Sequence, residues 1–175
     1  FELYTKAEKP FENIAFTILG LIYVVLPFSL LNFITTYSGT YSYEILFGFF
    51  FILWSSDTGA YLVGSAIGKH KLFPRISPGK TWEGSIGGAI ASYSVAYLIS
   101  GWYTGISIFD WMVIATILVI IGTLGDLVES LFKRSINVKD SGNILPGHGG
   151  ILDRFDSLIL VTPFIFMYLY IKDIF

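Results

Sequence analysis

The sequence predicts an all-α integral membrane protein: a polytopic helical bundle of about five transmembrane helices, in a single domain over residues 1–175. Hydrophobic residues make up 54% of the chain and charged residues only 14%, whereas soluble domains carry about 25% charged residues. Uncharged stretches long enough to cross a bilayer, which takes about 20 apolar residues, recur along the chain. The basic residues gather in the segments at one side of these stretches. These three observations favour a membrane bundle over a soluble domain.

Composition also excludes several classes of function. Abundant aromatic residues, 18% of the chain, are not typical of intrinsic disorder. A net charge of −2 gives no reason to expect a nucleic-acid partner. The chain has no cysteine, which excludes a disulfide framework, a thiolate metal site and a cysteine nucleophile.

Five stretches predict the helices in order. Residues 13–43 hold no charge and contain a span over 14–34. A signal peptide is the alternative for this stretch, but it would be shorter and followed by a small-residue cleavage site. The second span, 45–68, is interrupted by Asp57 alone. The remaining spans are one within 84–109, then 111–125, and finally 157–171.

The basic residues test this count of helices. Five spans place the N-terminal segment, the 69–83 loop and the 129–156 loop on one side of the membrane. These segments contain all but one of the eleven Lys and Arg residues, and Lys172 alone lies on the other side. Cytosolic loops carry such an excess of basic residues. The two long loops are therefore expected to face the cytosol.

Two acids fall inside predicted spans. Asp57 lies in the middle of the second span, and Asp126 lies near the cytosolic end of the fourth. A central Asp costs ~2.5–3.5 kcal/mol on insertion scales, so such residues usually line a protein interior or a water-filled cavity. The alternatives are a structural partner for Lys or Arg, and a solvated acid at a helix end. If the fourth helix continues past Asp126, helical spacing puts Asp126 on one face with Glu129, Ser130, Lys133 and Arg134.

The loop before the fifth helix adds a second polar group. Gly147, Gly149 and Gly150 permit close backbone approach, and Asp153 and Asp156 share a face at the helix start. Acids from the fourth and fifth helices are a suitable ligand set for Mg²⁺, which fills its remaining positions with water and phosphate oxygens. Lys and Arg nearby would neutralise phosphate charge. This combination indicates phosphoryl or nucleotidyl transfer. A solvated amphipathic helix end is the alternative for the face of the fourth helix, and the loop over residues 68–84 can be basic for topological reasons alone.

The same residues resemble a known family motif. Residues 130–134, Lys139-Asp140 and residues 145–156 resemble the motif of the phosphatidate cytidylyltransferases, also called CDP-diacylglycerol synthases. The segments around Asp57 and over 69–84 also resemble bacterial members, so the similarity extends from about residue 45 onward. Members of that family usually carry further helices before this region. The chain is therefore expected to be the C-terminal portion of a longer protein.

The resemblance implies an activity and a site. The expected reaction transfers CMP from CTP to phosphatidic acid, giving CDP-diacylglycerol and pyrophosphate, with Mg²⁺, at the cytosolic face of the membrane (the inner membrane in a bacterium). The resemblance is also compatible with a second cation and with a homodimer. The expected metal ligands are Asp126 and Asp153, with Asp156 and Asp57 in the same site. The expected catalytic residues are Lys133, Arg134, Asp126 and Asp153. The expected substrate-binding residues are Ser130, Lys139, Asp140, His148, Gly149, Gly150, Arg154 and Lys80.

Three alternatives remain at this point. A CTP-dependent polyprenol or dolichol kinase and a CDP-archaeol-type synthase use related chemistry. A transporter or channel would explain Asp57 and Asp126 as an ion path. For His148, which lies between glycines, a phosphate donor, a proton carrier and a simple turn residue are all compatible with the sequence.

Overall fold

The computed structural model describes residues 4, 8–36, 39–138, 141–142, 150 and 152–174. Five long helices account for most of them, which confirms the all-α prediction. A two-stranded β-hairpin between the second and third helices was not predicted. The elements in chain order are α1 (Pro10–Thr35), α2 (Tyr43–Ile67), β1 (Lys71–Phe73), β2 (Ser77–Thr81), α3 (Trp82–Trp102), α4 (Ile108–Ser135) and α5 (Leu152–Ile174).

Four of these helices are long and apolar enough to cross a membrane, namely α1, α2, α4 and α5. Helix α3 falls below that apolarity because its first half is rich in glycine and serine. It packs against α2 on one side and α4 on the other. The prediction of five helices is confirmed, while the crossing of the membrane by α3 stays a prediction. Large apolar side chains cover the outside of α1, of which Phe16 is 69% exposed, as expected for a helix that faces lipid.

Glycines allow α2 and α3 to approach closely. A Cβ atom at Gly88 would lie 2.8 Å from the carbonyl oxygen of Ser56, and one at Gly59 would lie 2.8 Å from that of Gly87. Any side chain there would push the two backbones apart, because real Cβ atoms do not approach that closely. Small residues at such crossings are typical of helix packing in membranes. The result is that the polar segment around Asp57 lies directly against α3.

Helices α4 and α5 run antiparallel and are joined by polar contacts near both ends. At one end, Asp110 of α4 accepts hydrogen bonds from Tyr168 (2.7 Å) and Lys172 (2.5 Å) of α5. Toward the other end, α4 is close to the start of α5, where a Cβ atom at Gly125 would lie 3.1 Å from the Asp156 carbonyl oxygen. Between these ends a buried apolar core includes Trp111, which is fully buried. The two polar ends are therefore separated by a dry interior.

The β-hairpin connects α2 to α3 on the same side as the start of α5. Strands β1 and β2 pair antiparallel, with Lys71 opposite Thr81 and Phe73 opposite Ser77. Thr81 then begins α3, because its side chain accepts a hydrogen bond from the Gly84 backbone N–H (3.1 Å) and satisfies a free donor of the first turn. This cap fixes the start of α3 directly after Lys80, which precedes Thr81 in β2.

Candidate active site

A cavity of about 440 Å³ lies among α2, α3 and α4, with β2 and α5 at its edge. Its polar side is formed by residues from four different elements, Asp57 of α2, Lys80 of β2, Asp126 of α4 and Ser157 of α5. Glycines and Ser or Thr residues line much of the rest, together with four apolar side chains, Leu53, Ala60, Leu118 and Val119. The cavity thus joins a charged region to an apolar one, which suits a ligand that is itself amphiphilic.

Lys80 and three carboxylates form the first polar group, which we call the Asp126 cluster (Asp57, Lys80, Asp126, Asp156 and Ser157). Lys80 Nζ forms an ion pair with one carboxylate oxygen of Asp126, and the Ser157 hydroxyl donates to the other. Asp57 and Asp156 both interact electrostatically with Asp126 and with Lys80. A single ammonium group therefore lies among three carboxyl groups, so the cluster has more acids than cations.

The interpretation of Asp126 as a structural partner for a lysine is correct in part, because the ion pair with Lys80 exists. It does not account for Asp57 and Asp156, which would both be costly beside a third acid unless additional positive charge were present. The side chains of Lys80 and Asp126 are 26% and 24% exposed, so a ligand can reach them from the cavity.

A second polar group, the Lys133 cluster (Glu129, Lys133, Ser141, Gly150 and Asp153), lies at the junction of α4 with α5. Lys133 Nζ lies 2.6 Å from Glu129 Oε2 and 2.7 Å from Asp153 Oδ1. The Glu129 side chain is 1% exposed. Helix α4 continues past Asp126 to Ser135, which places Glu129 and Lys133 one turn apart at i, i+4.

Asp153 collects further donors from the segment that precedes α5. Its Oδ2 accepts from the backbone N–H groups of Gly150 (2.7 Å) and Ser141 (3.0 Å) and from the Ser141 hydroxyl (2.9 Å). Together with Lys133, these donors hold both oxygens of the carboxylate. Asp153 thereby fixes two separate points of the segment between α4 and α5.

The binding of a metal by these acids stays a prediction. Within the described residues, no three Asp, Glu or His side chains form a group ready to hold a metal ion. The donor chemistry of the Asp126 cluster nevertheless suits Mg²⁺, since its acids and its serine offer carboxylate and hydroxyl oxygens. Mg²⁺ is usually held by one or two carboxylates and completed by water and substrate phosphates, so a third protein ligand is not required.

The remaining predicted residues fall into three groups. Ser130 is half-buried on α4, and Arg134 and Arg154 are exposed near the Lys133 cluster in the chain. Gly150 contributes through its backbone N–H rather than through conformational freedom. The predictions for Lys139, Asp140, His148 and Gly149 lie outside the described residues.

Two residues of these clusters received no role in the prediction. Ser157 follows Asp156 directly and lies one helical turn after Asp153, so the position of the two acids already indicated its face of α5. Ser141 follows the Lys139-Asp140 pair, but nothing in its local sequence indicates that both its backbone and its hydroxyl would reach Asp153.

The hairpin that carries Lys80 is held by one acid outside the membrane segments. Glu83 accepts hydrogen bonds from the backbone N–H groups of Lys69 (3.1 Å) and His70 (3.2 Å) and lies 2.6 Å from the His70 Nδ1 atom. The hydrogen bond with the His70 side chain is the largest cause that lowers the pKa of the Glu83 carboxyl, to about 2. Glu83 is therefore ionised at neutral pH and closes the base of the hairpin.

The chain is similar to known proteins over most of its length. The model of the cytidylyltransferase family matches residues 1–172. Among curated relatives, proteins named phosphatidate cytidylyltransferase from Staphylococcus haemolyticus (strain JCSC1435) and Staphylococcus aureus (strain COL) are each 46% identical to this chain, and one from Staphylococcus saprophyticus is 47% identical. Each alignment covers 93% of this chain and 62% of the relative. The chain thus spans less than two thirds of the length of these curated relatives.

Proposed function

Since this chain belongs to the cytidylyltransferase family, we propose that the protein transfers the CMP group of CTP to phosphatidic acid and releases pyrophosphate. The relatives that share 46–47% identity carry the name of this activity. The observation that supports it most directly is the cavity in which Asp57, Lys80, Asp126 and Ser157 meet an apolar wall. One substrate is a triphosphate and the other is a lipid with a phosphate head group. The polar side of the cavity suits the phosphates, and its apolar side suits the lipid.

The proposed reaction forms one P–O bond and breaks another. An oxygen of the phosphatidic acid phosphate attacks the α-phosphorus of CTP, and the bond from that phosphorus to the β-phosphate oxygen breaks in line. The phosphomonoester is already anionic at neutral pH, so no strong general base is required. Catalysis then depends mainly on positioning and on neutralising charge.

The protein contributes cations and acids at fixed positions. Lys80 would leave Asp126 for a phosphate oxygen when the triphosphate binds, and Lys133 would supply a second positive charge from the neighbouring cluster. Mg²⁺, when bound by Asp126 with Asp57, Asp156 or Asp153, would offset the charge of the triphosphate and of the departing pyrophosphate. Arg134 and Arg154 remain proposed phosphate-binding residues, because they lie beside these clusters in the chain.

The membrane location is part of the proposed function. The helices hold a two-chain lipid in the bilayer while CTP arrives from water, and meeting in one cavity removes much of the entropy loss of a bimolecular step. The chain is an integral membrane protein, and the excess of basic residues around the site supports a cytosolic orientation. Because the relatives are bacterial, the proposed location is the inner membrane with the site facing the cytosol.

A labelled-nucleotide assay tests this proposal. Purified protein in detergent is incubated with phosphatidic acid and CTP that carries ³²P on either the α or the γ phosphate, with Mg²⁺ or with EDTA. We expect the α label in the lipid fraction, the γ label in pyrophosphate, and no transfer in EDTA. Transfer of the γ label to lipid would instead show a CTP-dependent lipid kinase. Undiminished transfer in EDTA would remove Mg²⁺ from the mechanism.

A further inference from the structure

Residues 69–82, which we call the hairpin segment, present a group of cations outside the cavity. Lys69, Lys71 and Arg75 are all exposed. None of the three side chains forms an ion pair within the described part of the chain. Loops of this kind are often basic because of topology alone, so the charge by itself does not define a surface.

Exposed aromatic side chains accompany these cations. Phe73 is 44% exposed and Trp82 is 57% exposed. Lys71 and Phe73 are alternate residues of β1 and project from the same face of the strand. A face that combines a cation with an aromatic ring suits the boundary between lipid head groups and acyl chains, where aromatic residues concentrate and basic residues meet anionic lipid.

The backbone of the hairpin segment is held by hydrogen bonds at its base. Glu83 binds the backbone of Lys69 and His70 at its base, and the Trp82 backbone N–H donates to the His70 carbonyl oxygen (2.9 Å). Strands β1 and β2 add two paired positions, Lys71 with Thr81 and Phe73 with Ser77, with a register shift between them. The backbone that carries the cations therefore loses less conformational freedom on binding than that of a loop without such contacts.

The position of the hairpin segment brings it beside the bilayer. It follows the last residue of α2, Ile67, and α2 is long and apolar enough to cross a membrane. Only a few residues separate that helix end from Lys71 and Phe73. On its other strand the same hairpin carries Lys80, which reaches into the cavity and pairs with Asp126. One hairpin thus connects the end of α2 to the proposed reaction site.

We propose that the hairpin segment docks on the bilayer surface and binds the phosphate groups of anionic lipids through Lys69, Lys71 and Arg75, with Phe73 and Trp82 at the level of the head groups. The occupant is lipid that is anchored by acyl chains, not free phosphate. If the proposed function is correct, the same surface concentrates the phosphomonoester lipid substrate next to Lys80. Each basic residue near an anionic surface is expected to change the affinity for it roughly five-fold.

Site-specific fluorescence tests the docking without any turnover. Because the chain has no cysteine, a single label is introduced by Pro74→Cys at the exposed tip of the hairpin. The bimane-labelled protein is reconstituted into vesicles of phosphatidylcholine alone or with 30% phosphatidylglycerol, each containing phosphatidylcholine with a nitroxide near the head group. We expect at least two-fold stronger quenching in the anionic vesicles, and loss of that difference in Lys71→Gln/Arg75→Gln.

Three controls test whether the quenching reports contact between the hairpin and anionic lipid. A label introduced by Tyr41→Cys, at the far end of α2, is expected to show equal quenching in both vesicles, and Lys9→Gln is expected to leave the hairpin signal unchanged. Inorganic phosphate is expected to release the hairpin no more than chloride of equal ionic strength. Equal quenching at position 74 in vesicles with and without anionic lipid would overturn the docking surface. Preferential release by free phosphate would overturn it as well.

A kinetic measurement adds a second variant-based test that uses no label. In mixed micelles, Lys71→Gln/Arg75→Gln is expected to raise the apparent KM for phosphatidic acid at least five-fold and to leave kcat and the KM for CTP within two-fold. An unchanged KM beside a clear fluorescence response would limit the surface to docking and overturn its role in substrate capture. If wild-type protein shows no transfer at all, the proposed function fails, while the fluorescence result still decides the docking.

Discussion

Helix α4 carries an acid paired with a lysine toward each of its two ends, Asp110 with Lys172 and Asp126 with Lys80, but the surroundings of the two pairs differ. Asp110 is 3% exposed and accepts from Ser107, Tyr168 and Lys172, so donors fully occupy one isolated carboxylate. Asp126 pairs with Lys80 and Ser157, and two further acids interact with it and with Lys80 beside a cavity of about 440 Å³. A saturated ion pair fastens helices, whereas an excess of acid next to open space indicates a place for a cation, which could in turn hold a phosphate.

The largest effect is expected at the end of α4 that lies beside the cavity, where Asp126 pairs with Lys80. Asp126→Asn keeps the size of the side chain but removes the charge that holds Lys80, and loss of one preorganised charged group typically costs about 10²–10³-fold in rate. We expect CDP-lipid formation to fall at least about 100-fold, with Asp153→Asn similarly impaired, while both proteins still insert and elute as wild type in gel filtration.

The matched control for these amide substitutions is Glu12→Gln, since Glu12 is an exposed acid whose ion pair with Lys9 lies on the surface of α1. It is expected to retain full activity. Near-normal turnover of the Asp126 and Asp153 variants would show that the acids at this end of α4 and α5 have no larger catalytic role than Asp110 at the other end.

Lys133 is expected to produce the next largest effect. Lys133→Met would leave Glu129 and Asp153 as buried carboxylates without their shared cation, and breaking a buried pair in this way costs about 3–5 kcal/mol. We expect a lower thermal unfolding midpoint in detergent together with lost activity. Adding Glu129→Gln is expected to recover part of the stability and none of the activity. Recovery of both would mean that Lys133 has only a structural role.

At the other end of α4, where Asp110 is buried, we expect a loss of stability without a large loss of activity. Asp110→Asn weakens the contacts with Lys172 and Tyr168 and is expected to cost about 1–3 kcal/mol of unfolding free energy, as for other buried hydrogen-bonding groups. Activity measured well below the unfolding temperature should stay within about two-fold of wild type. A large loss of turnover in stably folded Asp110→Asn protein would abolish the distinction between the two ends.

The smallest expected effect concerns the hairpin that positions Lys80. The pKa of Glu83 is lowered from 4.5 to about 2, so its stabilising contribution is complete above about pH 4.5 and is lost as the pH falls toward 2. Amide exchange in the hairpin should therefore accelerate, relative to a pH-corrected reference, only within that range. Glu83→Gln should show faster exchange throughout and no such step. A step of equal size in the Gln variant would assign it to another group.

The helices were predictable because each has a long uncharged stretch. Asp126 could be chosen because an acid inside such a stretch is costly, whereas the roles of Asp153 and Lys133 came from helical spacing and from the resemblance to the family motif. The β-hairpin could not be predicted, since Pro78 and Gly79 lie within β2 and its strands have no alternating pattern. Lys80 pairs with Asp126, which lies 46 positions further along the chain. No local sequence spacing could predict that contact. Ser157 was missed because a serine in a membrane helix is usually satisfied by its own backbone.

The Asp126 cluster draws on residues 57, 80, 126, 156 and 157, which are synthesised at different times. Ser157 and Asp156 belong to the helix that leaves the ribosome after the other four. Until that helix has inserted, Asp126 lacks its hydroxyl donor and the cavity lacks part of its wall. The nascent chain is therefore expected to have no nucleotide-consuming activity until α5 has joined the bundle.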